Sequence, residues 1–370
     1  MSYSKGFSPV GAIFGGFFVV SACIALVQMF LLFSPVSPMS LNSNTELAEL
    51  RFQNWNLRFD SKPDSLSIEE TIESLNSTIP NDDEIDYYGI PTEVPWSRRR
   101  IDIANDVLFN KPVVFTVNEA LVRQVRDLDE LLGSDFEWVG VGRNDGRESS
   151  EFQAVFYNTK KVKVLSWDTF WLSYTPFEPS KFPGAGSYRS ATAVRLRTVD
   201  GLKFTILNAH LDDQSEEQRR LGGSLLRYRG AFEFEQQAGP VFLLGDFNSQ
   251  SSGRSCGAYN LVTGNEDYVE MNSEFVDKYK SSIYKSFTFD DIMAATPVES
   301  RLGHHATFTS FRALGITRAF SRIDFQFGGN AHNGEKKWTA IRYKVGEMWY
   351  DDRYHLSDHR PVITDVVIEN

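Results

Sequence analysis

The run Pro240 to Gln250, P-V-F-L-L-G-D-F-N-S-Q, joins four consecutive apolar residues to an abrupt polar cluster. Four such residues bounded by Pro and Gly predict a short strand inside a covered sheet, because a half-exposed strand would alternate apolar with polar. Gly245 reads as the point where the chain turns as the strand ends, so that Asp246 and Asn248 point the same way from its carboxyl end. A charged acceptor beside an amide that both donates and accepts suits the activation and orientation of a water next to a metal-bound phosphate. Taken alone, the pair is more simply an Asx turn closing a strand.

The same pattern returns along the chain. Arg51 to Leu57 alternates as an opening strand and delivers Asn56 near its end, and Lys111 to Val117 is a buried strand followed by Asn118-Glu119. Leu202 to Asn208 pairs with Ala191 to Thr198 about the hairpin signal Asp200-Gly201, and beyond it lies Asn208-Ala209-His210-Leu211-Asp212-Asp213. Ser321 to Phe327 alternates with Asp324 opposite Ile323 and Phe325, and the last strand, Pro361 to Val367, is preceded by Leu356-Ser357-Asp358-His359. Phe152 to Tyr157 and Val162 to Leu165 read as paired β segments about Asn158-Thr159. Helices are predicted over Pro95 to Phe109, Ala120 to Leu132, and Ser215 to Arg229, the last with Ser215 as N-cap and Gln218 three residues on.

Arg98-Arg99-Arg100 reads as a solvated helix face rather than a phosphate clamp. Arg143, in the turn Gly142 to Gly146, is a phosphate contact or only a turn residue. Phe177 to Tyr188, rich in Pro and Gly, is a candidate rim for a substrate cleft; Ser249 to Arg301 is irregular with short helices, the expected home of selectivity. His304-His305 reads as surface.

The chain has 370 residues, 41% hydrophobic, enough for a sizeable core. Val10 to Phe33 carries no charge, and about two dozen residues cross a bilayer as a helix at about 1.5 Å per residue. An uncleaved signal anchor is expected there, after a short tail over 1–9 and before a Ser-, Pro- and Asn-rich stalk over 34–49. Residues 50–370 then form the folded body. Lys5 weakly keeps the N-terminus cytoplasmic, which makes the chain a single-pass membrane protein with a lumenal or extracellular body; the alternative is secretion after signal cleavage. The sequon Asn76-Ser77-Thr78 agrees with that side, and Cys256, the only cysteine of the body, permits no disulfide within it. A net charge of -11 argues against a broad basic surface for long nucleic acid, and an acidic protein that handles phosphate recruits a divalent cation.

Asn56, Glu119, His210, Asp246, Asn248, Asp324, Asp358 and His359 each fall at or near a β-segment end, where sites in such sheets are built. The inventory matches metal-assisted phosphate-ester hydrolysis. In the order Asn, Glu, His, Gly-Asp-x-Asn, Arg-Ile-Asp, Ser-Asp-His, the chain from 50 to 370 resembles the endonuclease/exonuclease/phosphatase superfamily. Asn56-Leu57-Arg58-Phe59-Asp60, Gly140-Val141-Gly142-Arg143, Trp171-Leu172-Ser173 and Asn208-Ala209-His210-Leu211-Asp212 look closer to a subgroup of unassigned substrate.

The resemblance implies a four-layer α/β sandwich, two packed mixed sheets flanked by helices, here preceded by one transmembrane helix. It implies Glu119 as principal Mg²⁺ ligand (Mn²⁺ as an alternative) with Asn56 and Asp358 nearby, and Asp246 aligning or deprotonating a water steadied by Asn248. His359, held by Asp324, would contact the scissile phosphate, and His210 would stabilise phosphate or protonate the leaving oxygen; which histidine is acid and which base stays open. Asn118 replaces the family's usual Gln, and Asp213 stands where subgroup members often carry His.

The Pro-Ala-Trp-x-Asp-Arg signature of inositol polyphosphate 5-phosphatases is absent, Phe320-Ser321-Arg322-Ile323-Asp324 standing in its place. The leading expectation is a Mg²⁺-dependent phosphodiesterase or phosphatase for a small or membrane-borne phosphate ester, held near the bilayer by its N-terminal helix. The alternatives are a nuclease for extracellular or lumenal nucleic acid, and a catalytically silent membrane-tethered binding module.

Overall fold

In a computed structural model the described residues are 47–75, 93–237, 239–311, 320–331, 337–347, 349–350 and 354–369. Strands in chain order are β1 (Leu47–Asn56), β2 (Val114–Asn118), β3 (Phe136–Val139), β4 (Val155–Asn158), β5 (Val162–Trp171), β6 (Ser190–Thr198), β7 (Lys203–His210), β8 (Val241–Asp246), β9 (Phe287–Asp291), β10 (Arg301–Gly303), β11 (Asp324–Ala331), β12 (Trp338–Val345), β13 (Trp349–Tyr350), β14 (Tyr354–His355) and β15 (Val362–Glu369). The helices are α1 (Ile68–Ser74), α2 (Trp96–Asn110), α3 (Val122–Leu132), α4 (Glu216–Gln237) and the short α5 (Gly257–Val262), α6 (Ser273–Lys278) and α7 (Ile292–Ala295).

Two mixed sheets result, one of seven strands in the order β10-β12-β15-β1-β2-β4-β3 and one of six in the order β5-β6-β7-β8-β11-β9. Their facing sides share one apolar layer, with Phe52, Val114 and Val366 from the first meeting Ile206, Phe242 and Leu244 from the second. On the outer face of the first sheet Val117 and Phe156 pack on Ile103 and Val107 of α2 and on Val125 and Leu128 of α3. On the outer face of the second, Leu207, Leu243 and Phe327 pack on Leu225 and Ala231 of α4. Helix, sheet, sheet and helix form the four layers of an α/β sandwich. β8 shows why its sequence is continuously apolar: Phe242 and Leu244 enter the middle layer while Val241 and Leu243 face α4, so both sides of the pleat are dry.

Gly245 does not make the turn expected of it. β8 runs on through Asp246, and at Gly245, with φ +137°, a Cβ would stand 1.9 Å from the Ala209 carbonyl oxygen of neighbouring β7. Glycine is required there for close approach of two backbones. The turn falls to Asn248, whose φ is +45° and whose N–H reaches the Asp246 Oδ1 at 2.9 Å. The Asx turn and the polar pair at the strand end are therefore one structure.

Two further expectations are corrected. β4 and β5 do not pair: β4 lies between β2 and β3 in the first sheet, while β5 is the edge of the second and pairs with β6. A short polar link suits a crossing between layers as well as a hairpin. The Arg98-Arg99-Arg100 run is not solvated as a unit, since Arg99 and Arg100 are buried. Arg100 pairs with Asp127 of α3 at 2.9 Å, and Arg99 donates to the carbonyls of Leu57, Arg58 and Leu356, at 2.5, 3.0 and 2.7 Å.

The expectation of a single-pass membrane protein is overturned, and the lumenal or extracellular placement that depended on it falls too: no helix among the described residues is long and apolar enough to cross a membrane. The longest, α4, has 22 residues but carries Glu216, Glu217, Arg219, Arg220, Arg227, Arg229 and Glu233. Val10 to Phe33, the stalk and the sequon at Asn76 lie outside the described residues.

Candidate active site

Parallel pairing brings polar strand ends to one edge of the sandwich. β1 and β2 run parallel with Asn56 opposite Asn118, and β7 and β8 run parallel with His210 opposite Asp246. Antiparallel β11 starts at the same edge, placing Asp324 opposite Asp246, and the segment entering β15 brings Asp358 and His359. Glu119 follows β2 directly at φ +62°, in the left-handed region that a non-glycine residue enters only when neighbours hold it.

Across this edge the carboxylates are tied together by Asn56, which donates through Nδ2 to Glu119 Oε1 at 3.0 Å and to Asp246 Oδ2 at 2.9 Å. Its Oδ1 accepts from the Arg58 N–H at 3.0 Å, so Asn56 would offer a metal its oxygen only after turning its amide over. Asn118, the shorter stand-in for glutamine, accepts from the Asp246 N–H at 3.0 Å and donates to Asn208 Oδ1 and the Ala209 carbonyl, at 3.2 and 3.3 Å. Asn208 in turn donates to the carbonyls of Val117 and Ala154, both at 3.0 Å, so the two asparagines bolt the sheets together beneath the site. Asn56 on its carboxylate and Asn118, itself braced by Asn208, on its N–H hold Asp246 with little freedom.

Asp246 is flanked by two histidines at nearly equal range, His210 Nε2 at 3.6 Å and His359 Nε2 at 3.7 Å from its Oδ2. His359 Nδ1 meets Asp324 Oδ2 at 2.8 Å, and the Asp324 N–H is taken by Thr307 Oγ1 at 3.0 Å. Burial alone would push His359 down, but the carboxylates of Asp324 and Asp246 hold it well above 6.5. His210 has the opposite surroundings. Burial, and after it the Arg189 guanidinium, lower it to about 3. Arg189 NH1 lies 3.1 Å from Nδ1 and 3.0 Å from Nε2, which places it over the ring face, since in the ring plane it would collide with Cε1. Asn248 Nδ2 stands 3.2 Å from His210 Nε2 and donates to the Leu211 carbonyl at 3.1 Å.

The cleft above these groups has a volume of about 320 Å³ and is lined by Glu119, Asp246, Asn248, Asp358, His210 and His359, with Arg58, Arg143 and Arg189 around them. Every predicted site residue thus lies at this cleft or one hydrogen bond behind it, Asn56 and Asp324 being the two behind. Arg143 reaches the cleft with its charge already paired, its NH1 at 2.5 Å from Glu151 Oε2. Arg189, Glu151 and Phe308 also line it and were not singled out from sequence. Only Phe308 is apolar, and the two charged residues sit on segments without strand or helix periodicity to mark them. The predicted rim Phe177 to Tyr188 does contribute Ser187, while His304 pairs with Glu347 on the surface at 2.8 Å.

Two sets of ligand atoms lie close enough to share an ion: Glu119, His210 and Asp246, and Asp246, Asp324 and His359, each within 4.8 Å of one another. Burial, with Glu119 adding and His359 opposing, raises Asp358 to about 6. Glu119 and Asp358, two carboxylates facing a partly dry cleft, form a donor set suited to a hard, oxygen-seeking cation.

No family model and no curated protein matches the chain. Solved structures do. An endonuclease/exonuclease/phosphatase from Bacteroides vulgatus is similar at TM-score 0.64 with 23% identity, over 86% of this chain and 98% of that one. A mannosyl-6-phosphatase from Bacteroides thetaiotaomicron is similar at 0.62 with 23% identity, over 86% and 99%. The human Nocturnin catalytic domain, solved with a bound sulfate anion, is similar at 0.54 with 13% identity, over 87% and 97%. The chain has the fold of the endonuclease/exonuclease/phosphatase proteins.

Proposed function

We propose that residues 50–370 form a divalent-metal-dependent phosphoester hydrolase acting on a small phosphate ester. The observation that carries this reading is the buried Asp246 carboxylate between His210 and His359, joined through Asn56 to Glu119, at the floor of a cleft edged by guanidinium groups. Similarity in fold to a mannosyl-6-phosphatase supports a small ester. A cleft of about 320 Å³ fits a single phosphate with a compact substituent.

Glu119 with Asp358 would hold Mg²⁺ or Mn²⁺, joined by Asn56 if its amide turns over. The ion would draw electron density from phosphorus and offset charge that builds on the phosphate oxygens. Asp246 orients and deprotonates the attacking water. Burial, and then the nearby Asp324 carboxylate, raise its proton affinity, which makes it a better base. His359 uses Nδ1 on Asp324, leaving Nε2 to donate to a phosphate oxygen as charge develops there. Asn248 steadies the water or phosphate with its amide. His210, kept neutral by burial and by Arg189, offers the site a ring nitrogen without a charge.

The test is hydrolysis of a panel of sugar phosphates, nucleotides, phospholipids and oligonucleotides by the purified chain with Mg²⁺, with Mn²⁺ and with chelator. Turnover that needs the ion and falls at least about a thousandfold in both Glu119→Ala and Asp246→Ala supports the reading. Preference for oligonucleotides would turn it to a nuclease, and folded protein inert with both ions would leave a binding module.

A further inference from the structure

We infer that the wall of the cleft beyond His210, built by Glu151, Asp213 and Arg143, selects an ester whose organic part is uncharged and carries neighbouring hydroxyls, and turns away a second phosphate. This rests on the phosphoester reading above and concerns what surrounds the phosphate rather than the phosphate itself.

The backbone N–H groups and the Arg189 guanidinium that a second phosphate would use beside this wall are already spent. Asp212, fully buried, takes the N–H groups of Gln214 and Ser215 on Oδ1 at 3.1 and 2.9 Å, those of Gly186 and Ser187 on Oδ2 at 3.1 and 3.2 Å, and Arg189 Nε at 3.1 Å. The anion-attracting amino end of α4 is therefore filled from within. Arg189 gives NH2 to Asp213 Oδ1 at 2.7 Å and NH1 to the face of His210.

What remains toward the cleft is mostly acceptor. Among the described residues, Asp213 Oδ2 and Glu151 Oε1 have no protein donor, and the Asp213 side chain is 52% exposed. Arg143 also lines the cleft, and its Nε has no protein partner, the residue being only 6% exposed. A buried guanidinium N–H aimed at no protein acceptor is costly unless a ligand completes it. Carboxylates that accept two adjacent hydroxyls, with a guanidinium donating back to a hydroxyl oxygen, form the pattern that recognises a diol. The same carboxylates repel a second dianion, which gives selectivity by exclusion as well as by attraction.

The chemistry is shared by hexose monophosphates and by the ribose of nucleoside monophosphates, so the experiment separates them. With Mg²⁺ present, kcat/KM is measured for a hexose 6-phosphate, a nucleoside 5′-monophosphate, a hexose bisphosphate and p-nitrophenyl phosphate, which has no hydroxyls. The wild-type protein is expected to prefer the hexose or nucleoside monophosphate over p-nitrophenyl phosphate in KM. In Asp213→Asn and in Glu151→Gln that preference should shrink about tenfold, while the penalty against the bisphosphate relaxes. Asp213 is exposed, so its variant tests the wall even if Glu151→Gln unsettles Arg143. Hydrolysis of all four with no preference, or a preference that neither variant changes, overturns this inference and leaves the phosphoester reading standing. Absence of any metal-dependent hydrolysis, p-nitrophenyl phosphate included, removes both.

Discussion

The two histidines beside Asp246 are almost mirror images in distance and opposites in proton affinity. His359 Nε2 and His210 Nε2 stand 3.7 and 3.6 Å from the same carboxylate oxygen, and both rings are buried. What separates them is the next neighbour: Asp324 behind His359, Arg189 over His210. A single aspartate cannot tell which of two equidistant imidazoles holds the proton. A carboxylate on one side and a guanidinium on the other can, favouring the proton on His359 and disfavouring it on His210.

The widest way to break this contrast is to remove the charge behind His359. Asp324→Asn keeps the shape but lets His359 present the wrong ring nitrogen and lose its proton, and turnover should fall roughly a hundredfold or more. The check is kcat with Mg²⁺ in a variant whose thermal unfolding matches wild type. A fall below about threefold would show that Asp324 only supports the fold.

A second prediction weakens the other side at its root. Asp212 holds Arg189 over His210, and although burial pushes it up, the Gly186 and Ser215 N–H groups and Arg189 bring it down to about 2 from an ordinary 3.8. Its folded value is depressed, so its stabilisation is complete above about pH 4 and is lost as pH falls through about 2. Asp212→Asn should cost about 2 kcal/mol at neutral pH, with the gap to wild type closing between pH 4 and 2. Urea unfolding across that range measures it, and a gap independent of pH would assign the loss to packing.

The smallest effect sharpens the comparison directly. Arg189→Gln removes the cation from the ring face, and His210 should rise by about one unit or more from about 3 while His359 barely moves. Histidine nitrogen shifts followed by NMR against pH would show this. Equal movement of both rings would mean that the two are one coupled system rather than two separate ones.

Much of the site was legible because its residues stop apolar runs. Asp246 after Val241 to Leu244, Glu119 after β2, and His210 at the end of β7 are conspicuous in a linear reading, since a buried strand tolerates polarity only where it leaves the core. Arg189 and Glu151 break no such run, and their meaning arises from contacts made only in the folded chain. The buried Arg99 was misread for a related reason. Three arginines in a row look solvated, and only the carbonyls left open by residues 57, 58 and 356 reveal why one of them is worth burying.

By itself the sequence determined that this chain makes covered strands, where they end, and which polar groups stand at those ends, because apolar runs and their interruptions are local properties. Tertiary structure decided that β4 and β5 part into different sheets, that Gly245 serves a close approach and not a turn, and that one histidine is raised in proton affinity while its twin is lowered. Each depends on a neighbour supplied by packing: a facing sheet, the Ala209 carbonyl, a carboxylate or a guanidinium brought to within hydrogen-bonding distance from far along the chain.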